Sequence, residues 1–521
     1  MLSTALLVVA GAATAVRAAC TPKSVASATV CGGKTYVYEQ LAGFGYVSSS
    51  ARDKYGDTIG GHGSAIALDL NTWTRDASNG NRYTGILHTL PDRGWNTEGT
   101  LNFVPRIHKF EIELTIVSTV ANATNATAAP PNLKFTYLDS VLLTGPDGQY
   151  MTGLDADGSG TLSYDGFPPL PVSTYTGNGF GDGPFNVTSK HIPLDSEGLV
   201  LNADGSYWVS DEYGPYVYHF SSTGRMLSAI RPPEAFIPKR NGSDSFSADS
   251  QFFYINNGTG DDVSPADNPT GRDNNHGFEG LSVTEDGKTL FVFLQAAANQ
   301  EGGLGGTTER WSRLLKYDVS TPSAPIALGE YVVPLPLYDD PTKKASKNPQ
   351  VAAQSEIHVL PNGQLFVLPR DSNAGRGQSV TTSQYRHIDV IDLTGAENIL
   401  GNTFDCATCA IADLDGNLNS TITNATLCPF LDFNDNSELA RFGMHNGGNQ
   451  DDHLLNEKWE SIALAPVYPG TSRNEYFVFS LSDNDFITQN GTLNFGQFHY
   501  ADSSGYNLAN QALVFKVLIP N

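Results

Sequence analysis

Apolar positions in this chain fall into short runs of five to eight residues, broken by Gly, Asp and Asn, with no long stretch at helical spacing. Four runs share an opening: Ser196-Glu197-Gly198-Leu199, Phe278-Glu279-Gly280-Leu281, Ser355-Glu356-Ile357-His358 and Trp459-Glu460-Ser461-Ile462. Their glutamates are 82, 77 and 104 residues apart. A turn follows the first three: Asp204-Gly205, Asp286-Gly287 and Asn362-Gly363. A second apolar run comes next, as in Tyr207-Trp208-Val209-Ser210-Asp211 or Tyr476-Phe477-Val478-Phe479. A hairpin with its own turn signal, repeated along a chain, predicts the blades of a propeller. The predicted fold is therefore all-β, a single β-propeller with long loop insertions.

An earlier unit, 63–68 followed by 85–94, has the same shape but carries Ser64 in place of the glutamate. Strands are predicted at 107–118 and 133–143, flanking a sequon-rich tip. The final run, 512–519, is predicted to pair back with the first blade and close the ring. Counting the degenerate stretch between the first unit and Glu197 gives five or six blades, with six the preferred count. Segments 144–190, 234–275 and 400–455, rich in Gly, Asn, Asp and Pro, read as surface loops.

The chain has 521 residues and is 40% hydrophobic, with 26 Phe, 22 Tyr and 52 Gly, enough for a sizeable strand-based core. A net charge of −24 argues against nucleic acid and anionic membranes as partners. Residues 1–19 read as a secretory signal peptide cleaved after Ala18 or Ala19, although no Lys or Arg precedes the apolar run. Residues 20–521 then form the propeller domain, expected to be secreted and extracellular as a monomer. Eight sequons, at Asn122, Asn125, Asn186, Asn241, Asn257, Asn419, Asn424 and Asn490, predict a glycoprotein. Of five cysteines, Cys20 and Cys31 are close enough to staple the N-terminus. Cys406, Cys409 and Cys428 allow one pair and leave one thiol over. In an oxidising compartment a disulfide is the expected state, rather than a redox or zinc site.

Radial repeats converge on one axis, so Glu197, Glu279, Glu356 and Glu460 are predicted to share a small volume. Clustered ionised carboxylates repel and are costly to bury, and a hard cation such as Ca²⁺ resolves this with oxygen ligands. The alternative is that each glutamate caps backbone amides or pairs with an arginine within its blade. A second set ends the second runs: Asp92-Arg93, Asp211-Glu212, Gln295, Arg370-Asp371 and Asp483-Asn484-Asp485. Asp92, Asp211 and Asp483 are candidate metal ligands, and Arg93 and Arg370, with Asp371, a candidate clamp for a phosphate or carboxylate. The competing reading is an Arg–Asp lattice stitching blades together. His276 and His62 hold similar places in their repeats, as general bases or as buried structural histidines. Asp155-Ala156-Asp157-Gly158-Ser159-Gly160 has the spacing of a calcium loop, but position 12 is Gly166. The sequence has no Gly-x-Ser-x-Gly elbow, His-Glu-x-x-His pair or Walker loop.

Taken together, Asp195-Ser196-Glu197-Gly198-Leu199, Trp208-Val209-Ser210-Asp211-Glu212-Tyr213-Gly214-Pro215, Phe278-Glu279-Gly280-Leu281, Pro369-Arg370-Asp371 and Ser482-Asp483-Asn484-Asp485-Phe486 resemble the phytase-like family, described as having esterase-like activity of phytase. The resemblance runs from about residue 40 to the C-terminus. It implies a secreted propeller suspected of phosphoester or ester hydrolysis, although a shared fold does not establish a shared substrate. The expected function is metal-dependent hydrolysis of a small-molecule phosphoester. The alternatives are a calcium-dependent lactonase or esterase, and a binding propeller without chemistry.

Overall fold

The computed structural model describes residues 25–177, 188–253, 263–401 and 403–521. The signal peptide, Cys20, Asn186 and Asn257 lie outside them. Four four-stranded antiparallel sheets follow one another along the chain, each a meander. Blade 1 is Ala65–Arg75, Arg82–Leu90, Arg106–Thr115 and Leu133–Leu142; blade 2 is Ser196–Leu201, Tyr207–Asp211, Val217–Phe220 and Met226–Ile230. Blade 3 is Phe278–Val283, Thr289–Leu294, Trp311–Asp318 and Ile326–Pro334; blade 4 is Ala353–Val359, Leu365–Arg370, His387–Asp392 and Thr426–Asp432. Blade 5 joins both ends of the chain. Lys458–Trp459 and Ala463–Pro466 pair with Glu475–Asp483, which pairs with Asn510–Leu518, then Lys34–Val47 and Ser27–Cys31.

The ring therefore has five blades, not the preferred six. The stretches 107–118 and 133–143 are the third and fourth strands of blade 1. In 144–190 the described paired strands are one short hairpin, Ser173–Thr176 with Thr188–His191. The last strand does close the ring, but on Lys34–Val47, upstream of the unit taken as the first blade.

Strand alternation explains how the blades pack. In Tyr207–Asp211, Val209 faces blade 1 and Trp208 faces blade 3; in Thr289–Leu294, Val292 faces blade 2 and Phe293 faces blade 4. Each adjacent pair of blades thus shares one apolar cluster, and five such clusters run around the ring. Burial at roughly 25 cal/mol per Å² of apolar surface in these clusters is what holds the blades together.

One pair among Cys406, Cys409 and Cys428 forms as expected, but the third cysteine is not left over. Cys31 bonds Cys428, joining the outermost strand of blade 5 to that of blade 4, and Cys406 bonds Cys409. Ring closure brings Cys31 to blade 4, a proximity across 397 residues that no local spacing reveals. No helix among the described residues is long and apolar enough to cross a membrane.

Candidate active site

In an antiparallel hairpin the start of the first strand lies beside the end of the second. Here Ser196 faces Asp211, Phe278 faces Leu294, Ala353 faces Arg370 and Lys458 faces Asp483. The repeated glutamates and the charged residues ending the second strands therefore emerge at the same mouth of the central channel. Glycine sets how closely the walls approach. A Cβ on Gly198 would lie 2.6 Å from the Glu279 carbonyl oxygen, and one on Gly277 would lie 2.3 Å from that of Glu212. The Glu-Gly-Leu phrase is thus a packing requirement that draws Glu197 towards Glu279.

On the blade 2 side, Asp195, Glu197 and Glu212 are buried, each with a carboxylate oxygen within 4.8 Å of the others'. Arg93 Nη1 lies 3.2 Å from Asp195 Oδ2, with the guanidinium 5.7 Å from the centre of the Tyr213 ring. The contact is ionic: both Asp195 oxygens, Glu212 Oε1 and Arg93 Nε and Nη1 have no hydrogen-bond partner. Burial, followed by the neighbouring carboxylates, pushes Glu197 and Glu212 well above the usual carboxylate range. Asp195 is raised too, as burial outweighs Arg93. Glu279 accepts from Gln295 Nε2 on one oxygen and has no partner on the other. It is pushed up by burial and by Glu212 and Glu460.

The blade 5 side holds Asp92, Asp483 and Asp485, again within 4.8 Å. Lys458 Nζ stands 2.9 Å from Asp485 Oδ1, 3.3 Å from Asp483 Oδ2 and 3.6 Å from Glu460 Oε1. Ser64, at the place of the missing glutamate, donates to Asp483 at 2.9 Å. Burial works against ionised Asp483, yet Lys458 and these hydrogen bonds hold it below its ordinary value. Asp92 is raised well above its own by burial and by Asp483. Asp485 and Phe486 both take left-handed backbone, φ 49° and 55°, which is costly for a side chain as large as phenylalanine. The turn is held by Asp483 Oδ1, accepting from Asp485 N at 2.6 Å, and Asn484 Oδ1, accepting from Phe486 N at 3.2 Å. That accounts for the Asp-Asn-Asp-Phe string.

The structure thus gathers Glu197, Glu279, Glu460, Asp92 and Asp483 with Arg93 and Arg370. Arg370 is already engaged, by Glu460, by Ser355 Oγ at 3.2 Å and by the Asp371 carbonyl at 3.4 Å. Other candidates hold the backbone instead. Glu356 accepts from Leu281 N at 2.9 Å and Ile357 N at 2.8 Å, the capping role that was the alternative for this position. Asp211 accepts from the amides of Asp195, Tyr213 and Gly214 and from Tyr218 Oη, while burial raises it to about 7. Asp371 accepts from Ser383 Oγ at 2.6 Å and from the Tyr385 amide. His276 sits on the rim, 3.6 Å from Glu309. His62 is fully buried against Phe110 and lowered to about 4 by that burial. At 155–160, read as either a calcium loop or an Asp/Gly-rich turn, Asp155 accepts from Ser247, Ala248 and Ser250, and Asp157 from Thr174.

Sequence reasoning missed Lys458, which has no counterpart in the other repeats. It also passed over Asp195 as a candidate, although Asp195 stands inside the quoted strings.

The phytase-like family, described by esterase-like activity of phytase, matches residues 87–486, a span that includes every mouth residue from Asp92 to Asp485. This chain belongs to that family. A chain of Arthroderma benhamiae, named as an uncharacterized secreted protein, is 50% identical over 473 residues, 89% of this chain and 90% of the relative. Among solved structures, the PQQ-bound aldose sugar dehydrogenase of Streptomyces coelicolor aligns over 95% of this chain and 94% of its own, at 10% identity and a TM-score of 0.26. A gluconolactonase of Xanthomonas campestris aligns over 87% and 96%, at 8% identity and a TM-score of 0.24. At those values nothing of their chemistry carries over. The secreted relative and the disulfides agree on a secreted protein, as expected from the N-terminal segment read as a signal peptide. Family membership supports a hydrolase-type propeller.

Proposed function

We propose that this phytase-like protein hydrolyses small phosphoesters with the help of a divalent cation at the channel mouth. The observation that carries the reading is the excess of buried acid on the blade 2 side. Asp195, Glu197 and Glu212 converge there, both oxygens of Asp195 and Oε1 of Glu212 have no hydrogen-bond partner, and Arg93 pairs with Asp195. Buried polar atoms without partners are expensive, and an all-oxygen donor set suits a hard cation such as Ca²⁺. Asp195, Glu197 and Glu212 would hold it, with Glu279 beside them. When bound, such an ion supplies the charge that polarises a phosphoryl oxygen and acidifies a water.

The chain's own groups do the rest. Arg93 offers Nε and Nη1, free of hydrogen bonds, to an anionic ester, with Tyr213 keeping the guanidinium in place. Glu460 Oε2 is unpartnered, and burial raises the carboxyl to about 7, so near neutrality it can take a proton from an attacking water. That assigns the base to Glu460 rather than His276, whose nearest acidic partner is the buried Glu309, 3.6 Å away. The test is turnover of phosphomonoesters, phosphodiesters, carboxyl esters and lactones by chelated and Ca²⁺-restored protein. Phosphoester turnover that chelation abolishes and Ca²⁺ restores is expected. Turnover confined to lactones or carboxyl esters would move the reading to a lactonase, and inertness across the panel would leave a binding propeller.

A further inference from the structure

A groove of 720 Å³ lies away from the mouth, between the final strand pair of blade 5, the 119–132 tip of blade 1 and the 440–455 segment. Its floor is buried Phe44 and Phe442, and one wall carries Tyr46, 53% exposed with its ring 6.1 Å from that of Phe44. Polar groups ring the rest, among them His453 and Arg376, whose Nη2 meets Asp452 at 2.5 Å. An apolar floor under a polar rim, with a ring open to stacking, suits a sugar, which has one C–H face and hydroxyls at its edge. Asn125 lines the same groove, and it opens the sequon Asn125-Ala126-Thr127. Its Oδ1 leans to within 3.9 Å of where a Cβ on Gly443 would sit.

We infer that Asn125 carries an N-linked glycan whose first sugars lie in this groove. The modification itself is ordinary: the Asn125 amide nitrogen bonds the anomeric carbon of a polyprenyl-diphosphate oligosaccharide, the lipid diphosphate leaves and the amide gives up one proton. What the fold adds is the seat. The tip is already tied to the facing segment by Asn122 N to Ser437 O at 2.8 Å and Ala129 N to Arg441 O at 2.8 Å. A sugar rooted at Asn125 and packed on Tyr46 and Phe442 extends that clasp. Other sequons differ. Asn241 Nδ2 is spent on the Ser264 carbonyl and Asn424 Nδ2 on that of Ala425, while Asn490 is exposed and lines none of this groove.

The experiment uses protein secreted from a eukaryotic host, with glycopeptide mass spectrometry and amidase release followed site by site. Asn125 is expected to be occupied, and its glycan to be released from native protein at least ten-fold more slowly than those at exposed sites such as Asn490. Denaturation should erase the difference. Tyr46→Ala keeps the sequon and should bring native release at Asn125 up to the exposed rate, while Asn125→Gln should lower Tm by roughly 1–3 °C relative to Asn490→Gln. An unoccupied Asn125, or an occupied one released at the exposed rate in native wild type, overturns the inference.

Discussion

On the blade 5 side of the mouth, Lys458 stands among Asp483, Asp485 and Glu460, within 3.6 Å of all three. On the blade 2 side, Asp195, Glu197 and Glu212 face one another, and Arg93 reaches Asp195. The blade 2 acids are all buried and Asp485 only partly; Asp483 is held ionised, while Glu197 and Glu212 are pushed towards their protonated forms, as are Asp92 and Glu460 away from the closest lysine contacts. On the proposed reading, a bound cation would fill on the blade 2 side the role that Lys458 fills on the blade 5 side. Asp483, held ionised by Lys458, reads as architecture, whereas the raised blade 2 acids and Glu460, with one oxygen unpartnered, read as a site.

The comparison breaks most sharply at Glu197. Glu197→Gln should reduce metal-dependent turnover by at least about 100-fold, measured at saturating substrate and Ca²⁺, since it removes a ligand from the side with no substitute. Arg93→Ala is expected to cost roughly 10–100-fold in kcat/KM for a phosphoester, with Arg93→Lys recovering part of it; equal losses in both variants would mean that Arg93 only props up Asp195. Lys458→Met strands the blade 5 acids and should destabilise the fold by about 3–5 kcal/mol in denaturant unfolding. Ca²⁺ should return part of that stability, because the variant makes the blade 5 side resemble the other.

The pH dependence follows from the same contrast. A carboxyl whose pKa is raised by folding supports the fold at low pH, and that support is lost as pH rises through its folded value. Glu460, at about 7, and the raised Glu197 and Glu212 therefore make chelated protein lose Tm as pH climbs from about 5 to 8. Saturating Ca²⁺ should flatten that fall, since binding displaces the protons. Asp483, with its lowered pKa, acts oppositely and loses its contribution only in acid. The smallest effect is expected at Glu356→Ala, which strips the acceptor from Leu281 N and Ile357 N. It should cost about 1–3 kcal/mol in all and leave Ca²⁺ binding unchanged.

Much of this architecture is legible in the sequence because a repeat encodes it. Glu197, Glu279 and Glu460 mark the channel strands, and the hairpin turns between strands stand at near-constant offsets. What the repeat does not encode was misread. Blade 5 is built from 27–47 and 458–518, so neither half looks like a unit, and strands belonging to blade 1 were counted as another blade. Cys31 meets Cys428 only after closure. Glu356 shares the motif, but its carboxylate is bent back onto two amides, a difference of side-chain direction that spacing does not carry. Lys458 was invisible because one lysine beside one glutamate has no pattern until the fold sets three acids around it.

The central claim is that one side of the mouth takes a cation and the other supplies its own. Calorimetric titration of chelator-stripped protein with Ca²⁺, in wild type, Glu197→Gln and Asp485→Asn, tests it most directly. One ion per chain in wild type, lost in Glu197→Gln and kept in Asp485→Asn, is the expected result. No binding in folded wild type, or binding that survives in Glu197→Gln and vanishes in Asp485→Asn, would contradict it.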